Sequence, residues 1–121
     1  MILVDTSVWV SHFREGNSRL LLLLNDGEVE CHPFIIGELA CGNLKNRREI
    51  LLLMRSLPEA VQAEPEEALR FIENNNLMGK GIGYIDAHLL ASAVLSGVSI
   101  WTLDKKLRSE AVKLRVCAFA E

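Results

Sequence analysis

The chain opens on a short apolar run, MILV (residues 1–4), that stops at Asp5. A continuous run of that length is the pattern of a strand covered on both faces, as in a parallel sheet. From Ser7 to about Arg14 the spacing turns helical, with Trp9 and Phe13 four apart on one face. Asn17 or Ser18 suits the cap of a second helix through the leucines, closing at Gly27. EVECH (28–32) is strand-like, and Pro33 suits the first turn of a helix running through FIIGELACG (34–42). Arg48 to Leu57 carries Ile50, Leu53, Met54 and Leu57 at helical spacing. Pro58 and Pro65 bracket AVQA (60–63), a short strand candidate, and Glu66 to Asn75 reads as another helix.

YIDAHLLASAVLSG (84–97) is apolar nearly all round, which predicts a central buried helix ending at Gly97. VSIWTLD (98–104) is a strand rich in β-branched residues that again ends on an aspartate, Asp104. A last helix, roughly Lys106 to Leu114, precedes VCAFA (116–120), a candidate closing strand. Strands alternating with helices imply an α/β fold, a mostly parallel sheet with helices on both faces. Its 121 residues are expected to form a single domain, 1–121, without repeat or linker.

Composition narrows the class. Half the residues are apolar and a quarter charged, so the chain is globular and not disordered. Leu20–Leu24 falls far short of the roughly 20 apolar residues of a membrane span. No basic segment precedes MILV, which argues against a secretory signal. Cys31, Cys41 and Cys117 are odd in number and lack CxxC spacing, the usage of reduced thiols in a cytoplasmic protein. Thirteen basic against sixteen acidic residues disfavour a general nucleic-acid coat protein. The charges are uneven: a Glu-rich segment from Glu59 to Glu73, and basic ones at Lys45–Arg48 and Lys105–Arg115. Solvated helix faces account for most such runs, and a basic rim around an anionic substrate is the sharper alternative.

Four acids stand where polarity is unexpected. Asp5 and Asp104 end strands, Glu38 lies inside the apolar helix FIIGELA, and Asp86 falls in the first turn of the most apolar helix. Functional groups of an open parallel sheet gather outside the carboxyl ends of its strands. Each acid alone has a plainer account: Asp5 and Asp104 as helix caps, Asp86 as a charge favoured at a helix N-terminus. Glu38 resists one, since a carboxylate among apolar neighbours needs a partner. No basic residue sits close by in MILVDTSV, IIGELAC or GYIDAHL, so a divalent cation is the natural counter-charge if the four meet. Carboxylates and water suit Mg²⁺ or Mn²⁺. Such a site supports hydrolysis of phosphate esters by a metal-activated water, with Thr6, Ser7 and Thr102 orienting the acids.

Other motifs fail their context. GKGIG (79–83) follows no strand, so it reads as a turn into the Asp86 helix and not as a dinucleotide loop. His12, His32 and His88 lack zinc spacing, and His88 is expected as a partly buried helix residue. DTS has no second aspartate two residues on, against a phosphoaspartate phosphatase.

DTSVWV, IIGELACG, GIGYIDAHLLASA and WTLDKKL, arriving in this order over essentially the whole chain, resemble the PIN-domain family, and closely its VapC toxins of toxin–antitoxin pairs. The resemblance implies a PIN-like three-layer fold and a Mg²⁺-dependent endoribonuclease toxin, Mn²⁺ substituting, that cuts RNA with metal-activated water. It makes Asp5, Glu38, Asp86 and Asp104 the catalytic acids. Asp5 and Asp86 would be direct metal ligands, Glu38 and Asp104 ligands directly or through water, and Thr6 and Thr102 hydroxyl supports. It further implies a homodimer and inhibition by a small cognate antitoxin, with Lys45, Arg47, Arg48, Lys80, Lys105 and Lys106 as candidates for a basic rim. A non-catalytic PIN-like binding module and a metal-dependent phosphatase on small esters are the rival readings.

Overall fold

The computed structural model describes residues 1–119. Three strands, β1 (Ile2–Val4), β2 (Val29–Glu30) and β3 (Ser99–Trp101), form a parallel sheet in the order β2-β1-β3. Their register pairs Ile2 with Val29 and Ser99, and Leu3 with Glu30 and Ile100. Around them run α1 (Thr6–Glu15), α2 (Ser18–Asn25), α3 (Pro33–Cys41), α4 (Arg47–Ser56), α5 (Pro65–Asn74), α6 (Tyr84–Ser96) and α7 (Lys105–Lys113).

Adjacent strand residues face opposite sides of a sheet. Leu3 and Val4 are both fully buried, as are Ile100 and, nearly, Trp101, so both faces of the sheet are covered. That is why the strands read as unbroken apolar runs and not as alternating ones. α6 packs on β3, α5 on α6, and α3 on both α4 and α1. Helix α6 fulfils the expectation of a central helix: Ala87 through Ala93 are all buried, and its chain leaves through Gly97 in the left-handed region. Of the Glu-rich segment, Glu66 and Glu73 are exposed on α5, and Glu67 Oε1 accepts the Glu64 N–H at 2.9 Å.

Of two further expected strands, one is absent and the other shrinks to a single bridge. AVQA forms none; pairing falls instead on Glu59, which bridges Cys31 through Cys31 N–H to Pro58 O and Ala60 N–H to Cys31 O, each 2.8 Å. Beyond Ala60 the Val61 N–H turns to the Ser96 hydroxyl at 2.8 Å, which ends the ladder. Of VCAFA, Cys117 alone pairs, with Ile100, and Ala120 lies outside the described residues. No helix among the described residues is long and apolar enough to cross a membrane.

Candidate active site

The carboxyl ends of β1 and β3 lie side by side, tied by the Asp5 N–H to Trp101 O bond of 2.9 Å. Asp5 is therefore held where two neighbouring strands stop, and it is 6 % exposed. It occupies the cap position of α1, yet its side chain caps nothing. Asp5 Oδ2 instead accepts from Ser7 Oγ and from Thr102 Oγ1, both at 2.7 Å. Those hydroxyls are fixed in turn. Ser7 Oγ accepts the Leu103 N–H at 3.0 Å and Thr102 Oγ1 accepts the Asp104 N–H at 3.0 Å. Two donors on one oxygen hold the carboxylate in place and leave Oδ1 without a hydrogen-bond partner among the described residues.

The remaining acids are anchored the same way. Glu38, exposed on α3, takes the Thr6 hydroxyl on Oε1 at 2.7 Å. Asp86 accepts the Gly83 N–H on Oδ2 at 3.3 Å, from the third position of α6. Asp104 does cap α7: its Oδ1 accepts the Leu107 N–H at 2.9 Å. The capping account thus holds for Asp104 and fails for Asp5, while Asp86 does sit in the first turn of α6, where a negative charge is favoured. Each acid spends one oxygen on the fold. Among the described residues the second oxygen takes no hydrogen bond, and those of Asp5 and Asp86 are not sealed from solvent.

Electrostatics links Asp86 to the other three acids. Burial pushes the Asp86 carboxyl above its ordinary value, the Gly83 N–H lowers it, and the charges of Asp5, Asp104 and Glu38 raise it again. No Lys, Arg or His forms an ion pair with any of them among the described residues. Thr6, Ser7 and Thr102 each meet an acid, as their types suggested. The sequence undervalued Ser7, the hydroxyl that ties Asp5 to the β3 end.

The donor set is all oxygen, anionic and short of a counter-charge, which fits a hard divalent cation. No three His, Cys, Asp or Glu side chains among the described residues close round one point. A cation of the Mg²⁺ kind, held by one or two carboxylates and several waters, suits this open arrangement better than a full protein cage.

A family model described as PIN domain matches residues 2–113. The chain belongs to the PIN-domain family. It is 44 % identical over 110 residues to Ribonuclease VapC32 of Mycobacterium tuberculosis, covering 90 % of this chain and 89 % of that one. Two solved structures share the fold at low identity. PAE2754 from Pyrobaculum aerophilum has a TM-score of 0.61 at 18 % identity, covering 94 % of this chain and 88 % of its own. FitAB bound to IR36 DNA has a TM-score of 0.61 at 19 % identity, covering 98 % and 94 %. In this PIN chain the four acids come from the β1–α1 junction, α3, α6 and the β3–α7 turn.

The basic candidates disperse. Arg47 is spent on the fold, its Nε and Nη2 donating to Ala40 O at 3.2 and 2.9 Å, which closes the end of α3. Lys106 lies against Gly81 in the GKGIG turn. Lys45 lines a groove of about 820 Å³ that begins at Thr6 and Glu38 and also holds Arg14. His32 and His88 stay clear of the acids. His32 caps α3, with Nδ1 accepting the Phe34 N–H at 3.0 Å and Nε2 on Ser92 Oγ at 3.1 Å. His88 is more buried than expected, 3 % exposed between the Phe34 and Tyr84 rings.

Proposed function

We propose that this PIN-domain chain is a Mg²⁺-dependent endoribonuclease toxin of a toxin–antitoxin pair, cutting RNA phosphodiester bonds by hydrolysis. One observation carries the reading: the charges of Asp5, Glu38 and Asp104, from separate parts of the chain, all reach Asp86, and none of the four acids is in an ion pair among the described residues. Asp5 and Asp86 are the direct metal ligands; Glu38 and Asp104 complete the site directly or through water. Mn²⁺ substitutes for Mg²⁺, since both prefer oxygen donors.

The chain's own groups do the positioning. Thr102 and Ser7 hold Asp5 in one orientation, Thr6 holds Glu38, and the α6 and α7 first turns hold Asp86 and Asp104. When bound, the metal lowers the pKa of a coordinated water and offsets charge on the phosphoryl oxygens. A site that repels itself when empty keeps its affinity for that cation high, at some cost in stability.

The similarity to a protein named Ribonuclease VapC32 supports RNA as substrate. Inhibition by a cognate small antitoxin and assembly as a homodimer belong to the same proposal. Three free cysteines support a reducing compartment, the cytoplasm. The test is cleavage of RNA by purified protein with Mg²⁺, with EDTA, and as Asp5→Asn and Asp86→Asn. Folded variants and EDTA samples should be inactive. Equal cutting in all of them would overturn the reading, and release of phosphate from nucleotides without internal cuts would favour the phosphatase. An inert wild type that still binds Mg²⁺ would favour the binding module.

A further inference from the structure

The groove beside Glu38 is unaccounted for by the acids alone. It runs from Thr6 and Glu38 along α1 to the loop before α4, with a volume of about 820 Å³. That lies within the range of small-molecule clefts, roughly 300–1,000 Å³. Its floor is apolar, including the half-buried Phe13 and Leu44, and its rim carries Arg14 and Lys45. Both cations are exposed, and neither is in an ion pair among the described residues. Glu38 is the only acid in the lining, and it already accepts the Thr6 hydroxyl.

We propose that this groove seats the unpaired RNA flanking the cut, with Arg14 and Lys45 on its phosphates and the apolar floor under its bases. The inference rests on the ribonuclease reading above. Polymer continuity selects RNA as occupant: a chain with one phosphodiester at the carboxylates must lay its neighbouring nucleotides next to them, and Thr6 and Glu38 belong to both places. A basic rim over apolar and aromatic side chains is how unpaired strands are held without base pairing. Lys45 was already a rim candidate from the sequence. Arg14, in the last turn of α1, is newly assigned as a positioning residue.

The test uses binding of a fluorescein-labelled oligouridylate in EDTA, which stops cutting, together with steady-state cleavage in Mg²⁺. Arg14→Gln/Lys45→Gln should weaken binding about tenfold and flatten the dependence of log Kd on log salt by about 1.4, two phosphates at about 0.7 each. In cleavage the loss should fall on KM more than on kcat, and Arg14→Lys should recover the Arg14 share. Both residues are exposed, so circular dichroism should be unchanged. If the wild type cuts RNA and the double variant keeps its Kd and salt slope, the groove assignment alone is overturned. A wild type that neither binds nor cuts RNA brings down the ribonuclease reading and the groove with it.

Discussion

Thr102 Oγ1 donates to Asp5 Oδ2 at 2.7 Å across 97 residues of sequence, joining the ends of β3 and β1 at the acidic site. The same hydroxyl accepts the Asp104 N–H, so one buried oxygen fixes two of the four acids. Thr102→Val keeps the shape and removes both bonds. It leaves a buried carboxylate short of a donor, which costs about 1–3 kcal/mol, and it frees the acids to reorient. Cleavage should fall about 10–100-fold, the usual loss when a metal ligand's support is removed. Thr102→Ser should retain most of both. Denaturant midpoints and single-turnover rates check this; a Val variant cutting at the wild-type rate would show that Ser7 suffices.

Asp86 sets function against stability. Its carboxyl is raised above 3.8 by burial and by three neighbouring acids. Between the unfolded and folded values the native state binds more protons than the unfolded one, so stability falls as pH rises through that window. At neutral pH the charge is therefore a net cost. Asp86→Asn keeps an oxygen for the Gly83 N–H and removes the charge. Without divalent ions it should melt higher than wild type near pH 7, with no gain below 3.8. Mg²⁺ should raise the wild-type melting temperature by mass action and leave the variant unmoved. A variant that melts lower at pH 7 would mean that the four charges do not strain the fold.

Much of this was legible because the four acids break an apolar pattern, and pattern breaks survive without any three-dimensional knowledge. The long helices and the two strands beside Asp5 and Asp104 were legible for the same reason. AVQA was not, because a short segment between two prolines carries no signal that separates a strand from a loop. The pairing sits one residue earlier, at Glu59, and is cut short by a hydroxyl from α6. Arg14 was hidden because a basic residue in a last helical turn already has a local explanation, the helix dipole. Only the packing of α3 on α1 and α4 brings it into one groove with Glu38.

His32 should make the protein acid-sensitive. Burial first, then the His88 charge, lower its pKa from 6.5 to about 4, with Glu59 opposing. Its Nδ1 must stay unprotonated to accept the Phe34 N–H at the head of α3. The unfolded chain binds the extra proton between those values, so stability present above 6.5 is lost as pH falls toward about 4. His32→Gln should show a shallower decline of denaturant midpoint over this window. Some slope should persist, since burial lowers the His88 pKa as well. Parallel curves for the two proteins would remove His32 from the account.

Gly81 and Lys106 are coupled across the turn that leads into α6. Gly81 sits at φ +79°, and a Cβ there would stand 2.6 Å from Lys106 Cδ and 2.9 Å from its Nζ. Gly81→Ala therefore meets two obstacles. The left-handed backbone costs roughly 1–2 kcal/mol for a residue with a Cβ, and the lysine must move. Only the second is relieved by shortening the lysine. In a double-mutant cycle with Lys106→Ala, the pair should be more stable than the sum of the singles by about 0.5 kcal/mol or more. The backbone share should remain. Strict additivity would mean that Lys106 swings away freely, as an exposed lysine is able to. Coupling would instead establish that the GKGIG turn holds this lysine in place, immediately before the helix that carries Asp86.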